Sequence, residues 1–348
     1  MDRGTKAAVL VTGGAGFIGA HTAKALHDSG YLPVVYDNLS SGYRDAVRWG
    51  PLVHGDIRDP RALSDALSEY GIKAVIHFAG LIEVGRSVAK PDMFWEHNVS
   101  GTVSLLAAMR DRGVGRLVFS SSAAVYGQGD RGPLEAIPED APKAPASPYG
   151  DTKLACEWMI ETQCRAYGLT GVALRYFNAA GADPSGLIGE AHEPETHLIP
   201  LAIAAALGDG KPLTVFGDDF DTPDGSCLRD YIHVGDLADA HVAALEAALG
   251  AGVYEAVNVG TGQGASVFDV VGAVGRAVGR PVPHSVGARR AGDPPSLVAN
   301  AGRAREVLGW SATRSSLDQI VTDALRWERE PRYGAGVRGK RKAEVAPR

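Results

Sequence analysis

Cysteine is scarce in this chain, with three among 348 residues: Cys156, Cys164 and Cys227. So few, and an odd number, supply no disulfide framework, so free thiols in a reducing cytoplasm are expected. Long apolar runs are missing too. No stretch approaches the roughly 20 apolar residues of a membrane span. The early run Ala7-Ala8-Val9-Leu10-Val11 stops at Thr12-Gly13-Gly14, too short for the core of a signal peptide, and reads as a buried strand. The ten histidines show neither HExxH nor a comparable spacing, so no metal is expected. Basic charge is not in excess either: a net charge of -6 argues against a nucleic-acid surface.

Glycine is abundant. Its 44 copies point to many tight turns and close backbone approaches. Apolar residues make up 45% and charged ones 22%, as in ordinary enzymes, and the length suits one large domain or two tightly packed ones.

The strand-like residues 7–12 run straight into Gly13-Gly14-Ala15-Gly16-Phe17-Ile18-Gly19, and a helix is expected over 21–29. Gly14, Gly16 and Gly19 satisfy G-x-G-x-x-G, a turn that lets the backbone approach a pyrophosphate at a helix N-terminus. Alone the pattern is weak. Here a second strand, 34–37, ends in Asp37, close to the spacing of a carboxylate that binds a ribose 2′-hydroxyl. A carboxylate repels a 2′-phosphate, and Asn38-Leu39-Ser40 supplies no arginine, so NAD is favoured over NADP.

Strand-like segments at 52–57, 74–80, 116–121 and 170–177 alternate with helical ones at 61–70, 92–112 and from Tyr149 onward. Continuous apolar strands between helices imply a parallel sheet covered on both faces, a Rossmann-type doubly wound α/β fold. Ligands bind beyond the carboxyl ends of such strands. Gly13, Asp37, Asp56, Gly80 and Ser122 all fall there. After Asn178 the pattern loosens: a turn-rich loop over 181–194 reads as a lid, 227–233 as one strand, and helices are expected at 196–207, 236–249, 267–278 and 317–327. The expected division is a NAD-binding domain over 1–178, rejoined by some later segments, and a smaller mixed α/β substrate domain mainly within 179–330. A basic tail, 331–348, is expected to be disordered.

Tyr149 and Lys153 are four apart just after Pro148, so on a helix they share one face. A nearby ammonium lowers a phenol's pKa from about 10. The pair alone also suits a solvated helix face. Beside a nicotinamide, Ser122, Tyr149 and Lys153 would do alcohol–ketone chemistry: Tyr149 takes the hydroxyl proton, Ser122 holds the same oxygen, and Lys153 holds the phenolate and the nicotinamide ribose.

Residues 12–19, Asp37-Asn38, Gly55-Asp56-Ile57, His77-Phe78-Ala79-Gly80, Phe119-Ser120-Ser121-Ser122, 147–153, Leu174-Arg175-Tyr176-Phe177-Asn178 and 228–234 are similar to the UDP-glucose 4-epimerases, extended members of the short-chain dehydrogenase/reductase superfamily. Val125-Tyr126-Gly127 and Arg229-Asp230-Tyr231-Ile232-His233-Val234 are the more specific motifs. The resemblance runs in register over roughly 6–330.

It implies a cofactor site at Gly13, Gly16, Phe17, Ile18, Gly19, Asp37, Asn38, Asp56, Ile57, Phe78, Ala79, Gly80, Asn98, Ser120, Tyr149, Lys153, Tyr176 and Phe177. It also implies a UDP-sugar site at Ser122, Tyr149, Asn178, His197, Leu198, Phe216, Arg229, Tyr231, Arg290, Asp293 and Leu297. Two guanidinium groups suit a pyrophosphate, and Asp293 suits ribose hydroxyls. Leu297 falls where the family walls the pocket near the sugar C2 substituent, so UDP-GlcNAc and UDP-GalNAc are expected to fit as well as UDP-glucose and UDP-galactose. Two positions depart from the family pattern. Ile82 stands where many relatives carry a lysine near the cofactor, and Thr196-His197 replaces a frequent asparagine pair before Leu198.

The implied reaction is reversible 4-epimerisation through a transient 4-keto sugar, in a homodimer built on helices 92–112 and 149–167. A 4,6-dehydratase would need acidic residues after Ser122, where Ala123-Ala124 stand. A non-catalytic NAD-binding regulator would commonly lose the tyrosine or the lysine.

Overall fold

Apolar strands that alternate with helices build the centre of the molecule. The computed structural model describes residues 7–127, 134–290 and 293–334. Of the tail expected to be disordered, residues 331–334 are instead packed, with Tyr333 buried against Gly189, and the rest from 335 onward lies outside the described residues. The first half contains β1 (Ala8–Thr12), α1 (Phe17–Asp28), β2 (Leu32–Asp37), β3 (Leu52–His54), α2 (Pro60–Glu69), β4 (Ala74–His77), α3 (Val84–Ala89), α4 (Pro91–Phe94), α5 (Gly101–Asp111), β5 (Arg116–Ser122), α6 (Pro148–Tyr167) and β6 (Thr170–Tyr176). The second half adds β7 (Asn178–Ala180), α7 (Leu198–Leu207), β8 (Leu213–Phe216), β9 (Leu228–Arg229), β10 (Tyr231–His233), α8 (Val234–Glu246), β11 (Tyr254–Val259), β12 (Ala265–Ser266), α9 (Val267–Val278), β13 (His284–Gly287), β14 (Ser296–Leu297), α10 (Gly302–Leu308) and α11 (Leu317–Arg329).

Seven parallel strands in the order β3-β2-β1-β4-β5-β6-β11 form the main sheet. This is the doubly wound Rossmann arrangement, with the strand order reversing beside β1. One face packs Leu10, Val34, Val75, Leu117 and Ala173 against α2, α5 and α6. The other packs Val9, Val11, Ile76, Val118 and Leu174 against α1 and α8. Burial on both faces explains the near-continuous apolar strands.

A second core lies among α7, α9 and α11, where Ile199, Ile203, Val270, Val274, Ile320 and Leu325 meet Tyr231. Short strand pairs join this part to the sheet edge: β7 with β10, β9 with β12 and β14, and β8 with β13.

Several expectations need correction. The segment 227–233 is two strands in different sheets, because Asp230 interrupts it. Its buried carboxylate accepts from Thr261 N and Oγ1, Gly262 N and Ala299 N, which turns the chain between β9 and β10. The helix expected over 92–112 contains a π-helical turn at Trp95–Ser100. Helix α1 starts at Phe17, directly on the glycine turn, and not at 21. The loop read as a lid is pinned at its middle: Ile188 is fully buried, Tyr333 Oη bonds both Gly189 N and O, and Trp327 Nε1 donates to the Glu190 carbonyl at 2.6 Å.

Candidate active site

The carboxyl ends of β1, β2, β4, β5 and β6 gather the expected cofactor residues. Gly13 has φ +71, and a Cβ there would lie 2.6 Å from Ala79 N, so the turn can pass β4 only as glycine. Gly16 caps α1 without a side-chain bond, and the first turn of α1 carries no acid. The free N–H groups and positive dipole end therefore face the sheet edge, as an anion requires.

Asp37 Oδ2 accepts from Ala15 N at 3.0 Å and Oδ1 from Leu39 N at 2.8 Å. Burial pushes this carboxyl up, against those two bonds. Each oxygen keeps a lone pair for a ribose hydroxyl. Asn38 Nδ2 donates to Asp56 Oδ2 at 3.0 Å, and Arg58 pairs with the same carboxylate at 2.9 Å, holding it well below the usual range. Ile57 fills the space opposite Gly101. These groups fit an NAD: an uncapped helix start for the pyrophosphate and a carboxylate for the ribose.

Asn98 sits in the π-helical turn, fully engaged. Its Oδ1 accepts from Leu81 N at 2.7 Å, and its Nδ2 donates to Leu81 O and Thr152 Oγ1 at 3.1 Å each. It fixes the Gly80 loop against α6. Ile82 is exposed, and Glu83 and Arg86 pair with each other at 2.9 Å.

Ser122, Tyr149 and Lys153 come together as expected, but the electrostatics do not follow the simple reading. Ser147 caps α6 through Gly150 N, and Pro148 opens its first turn. Tyr149 is buried, and burial pushes its phenol up while a Ser122 hydrogen bond opposes the rise. The expected lowering by Lys153 is absent: Nζ donates to Ser120 O at 2.8 Å and stands 5.9 Å from the Tyr149 ring centroid. Burial holds Lys153 itself down to about 8, against Cys156 and Glu157. Tyr176 Oη and Ser120 Oγ bond at 2.5 Å behind this group.

Three positioning contacts escaped the sequence reading. Ser87 on α3 accepts from Tyr149 N at 3.1 Å and donates to Val84 O at 2.6 Å. Glu157, one turn after Lys153, pairs with Arg175 at 2.6 Å in full burial and accepts from Ser121 Oγ at 2.5 Å. Arg175 continues to Tyr126 Oη at 2.9 Å, which donates to Asn258 Oδ1 at 2.6 Å. This network braces α6 against β5, β6 and β11. Only Glu157's i+4 spacing from Lys153 was visible in advance.

On the substrate side, the short strands align several expected residues. Asn178 pairs with Tyr231, and Leu297 with Arg229. Arg229 donates to Leu228 O and Pro294 O and lies 3.8 Å from Asp293. Arg290 covers the Phe216 ring at 3.9 Å. Phe177 and Leu297 pack on the same cluster as Ala123 and Leu154. Leu198 opens α7 beside the core that holds Tyr231. Phe78 packs against His241, with ring centroids 4.6 Å apart. His197 departs from expectation: its Nδ1 faces Glu190 at 2.8 Å and Glu195 at 3.0 Å, leaving Nε2 for any substrate. A separate cleft lined by Glu139, Glu157, Arg175, Tyr254 and Arg303 contains none of the expected site residues.

A dinucleotide cradle facing a Ser–Tyr–Lys set defines an enzyme built to interconvert an alcohol and a ketone with a nicotinamide. Residues 9–260 match the NAD dependent epimerase/dehydratase family. The UDP-glucose 4-epimerase of Rhizobium leguminosarum bv. trifolii is 50% identical over 319 residues, 92% of this chain and 96% of that protein. Among solved structures, UDP-glucose 4-epimerase from Brucella ovis in complex with NAD superposes with a TM-score of 0.88 at 52% identity, covering 92% and 98% of the two chains. The Bifidobacterium longum enzyme in complex with NAD+ and UDP gives 0.87 at 38% identity, covering 93% and 98%. The chain belongs to the UDP-glucose 4-epimerase family.

Proposed function

We propose that the protein interconverts UDP-glucose and UDP-galactose by inverting C4 of the sugar. The observation that carries this reading is Tyr149, buried beside Ser122 and Lys153 at the edge of a dinucleotide fold. The backbone of Gly13, Gly16, Phe17, Ile18 and Gly19 would hold the NAD pyrophosphate, Asp37 the ribose, and Asn38, Asp56 and Ile57 the adenine side.

NAD held there would supply reversible hydride-acceptor chemistry at C4, so that oxidation and reduction at that carbon balance within one turnover. Tyr149 takes the proton of the sugar 4-hydroxyl and gives it back, with Ser122 holding the same oxygen. In the structure burial raises the phenol, so the positive charge of an oxidised nicotinamide is what favours its deprotonation. Lys153 orients the nicotinamide ribose from its place on Ser120 O. Between the two proton transfers the 4-keto sugar turns about its phosphate linkage. Arg229 and Arg290 would clamp the pyrophosphate, with Asp293 on the uridine ribose and Asn178, Leu198, Phe216, Tyr231 and His197 around the rest. Residues 179–330 would thus form most of the substrate domain.

Leu297, in place of a bulkier side chain, would leave room at the C2 side, which extends the reading to UDP-GlcNAc and UDP-GalNAc. The exposed Val103, Trp158 and Tyr167, with Trp95 in the π-helical turn before α5, support a homodimer through α5 and α6. Three free, buried cysteines support a reducing, cytoplasmic setting.

The test is incubation with UDP-galactose. UDP-glucose without NADH build-up is expected. A 4-keto-6-deoxy sugar would mean a dehydratase, and no product a non-catalytic NAD-binding protein.

A further inference from the structure

We propose that Glu190, His192, Glu195 and His197 form a structural binding site for a divalent zinc-like cation at the rim of the active site. The four side chains come from eight consecutive residues, in the pattern Glu-x-His-x-x-Glu-x-His. One ligand atom from each lies within 4.8 Å of all the others.

The separations suit a shared metal. His192 Nδ1 and His197 Nδ1 converge on the same Glu190 Oε1, at 3.1 and 2.8 Å. Glu195 stands 3.0 Å from His197 Nδ1 and 3.8 Å from His192 Nδ1. A tetrahedron with metal–ligand bonds of about 2.0–2.1 Å has edges of about 3.3–3.4 Å, within the span of these four separations. Two carboxylates neutralise a divalent cation when both imidazoles are neutral. Two nitrogen and two oxygen ligands favour zinc over magnesium or calcium, which prefer all-oxygen shells.

The surroundings orient the ligands. Glu195 Oε1 also accepts from Thr196 N and His197 N at 2.7 and 2.8 Å. The Glu190 backbone is held by Trp327 Nε1. The His192 ring meets Phe17 edge-on at 6.5 Å, and His197 caps α7 just before Leu198. A cation here would tie the loop before α7 to itself, beside the start of α1. Four protein ligands close the shell, which marks a structural and not a catalytic metal.

The test uses untagged protein stripped with a chelator, reloaded with Zn2+ and desalted. Elemental analysis should find about one zinc per chain. Co2+ in its place should give the visible absorption bands of a tetrahedral site. His192→Ala and, separately, Glu195→Gln should lose both signals, and Zn2+ should raise the Tm of the wild type alone. Zinc below about a tenth of an equivalent, or equal binding by wild type and both variants, would overturn the proposal and leave an ion-pair cluster only. None of these readouts depends on epimerase activity, so the two readings fail separately.

Discussion

Tyr149 is the residue on which the chemistry turns, and its surroundings set a sharp expectation. It is buried, bonded to Ser122, and carries the only phenol placed to share a helix face with Lys153. Tyr149→Phe should lower turnover by about 10²–10⁴, the usual worth of general acid–base catalysis. NAD content, read by releasing and assaying the nucleotide, should be unchanged, because ring and backbone persist. A variant keeping more than about half the wild-type rate would move the proton carrier elsewhere. Leu297 carries the second residue-scale expectation. Leu297→Tyr should lower kcat/KM selectively for the acetamido sugars and leave UDP-galactose within a few-fold. Equal slowing of both substrate classes would remove Leu297 from the C2 pocket.

At the scale of elements, the Glu157–Arg175 pair links α6 to β6 in full burial. Arg175→Met would leave the Glu157 carboxylate without its cation and should cost about 3–5 kcal/mol of stability in urea unfolding. Adding Glu157→Leu should recover part of that loss. If the double variant is less stable than the single, the pair is not what braces α6. Elements of this kind explain how far the sequence could be read. The sheet strands and the glycine turn were legible because apolar runs and local turn chemistry act over a few residues. The Ser–Tyr–Lys set was legible through its spacing and the common edge of the strands. The break at Asp230 was not, since its partners Thr261, Gly262 and Ala299 are far along the chain. Helices α3 and α10 are short, so they carry no periodic signal in the sequence. The phenol's direction was misjudged because burial, a tertiary property, outweighs one ammonium whose head is turned to Ser120 O. The histidine–glutamate cluster is not legible in the sequence, because its spacing matches neither HExxH nor a comparable ligand pattern.

At the scale of the whole molecule, buried histidines tie stability to pH. Burial lowers His77 to about 3, and His21 and His241 to about 4. His77 Nε2 bonds Thr102 Oγ1 at 3.1 Å and its Nδ1 bonds Thr12 Oγ1 at 2.6 Å, an arrangement that suits the neutral ring. Unfolded, each would titrate near 6.5, so between there and the folded value the unfolded chain binds more protons. Their contribution is therefore complete above about pH 6.5 and is lost as pH falls, by up to about 1.4 kcal/mol per unit for each group. Unfolding free energy measured from pH 7 to pH 5 should fall accordingly, and a flat profile would show that these rings are not held neutral.

The most direct test of the catalytic account follows the hydrogen on the sugar. With deuterium placed at C4 of UDP-galactose, an internal redox cycle predicts UDP-glucose that keeps the label at C4, formed without net NADH. Loss of the deuterium to water, or NADH accumulating in step with product, would contradict it.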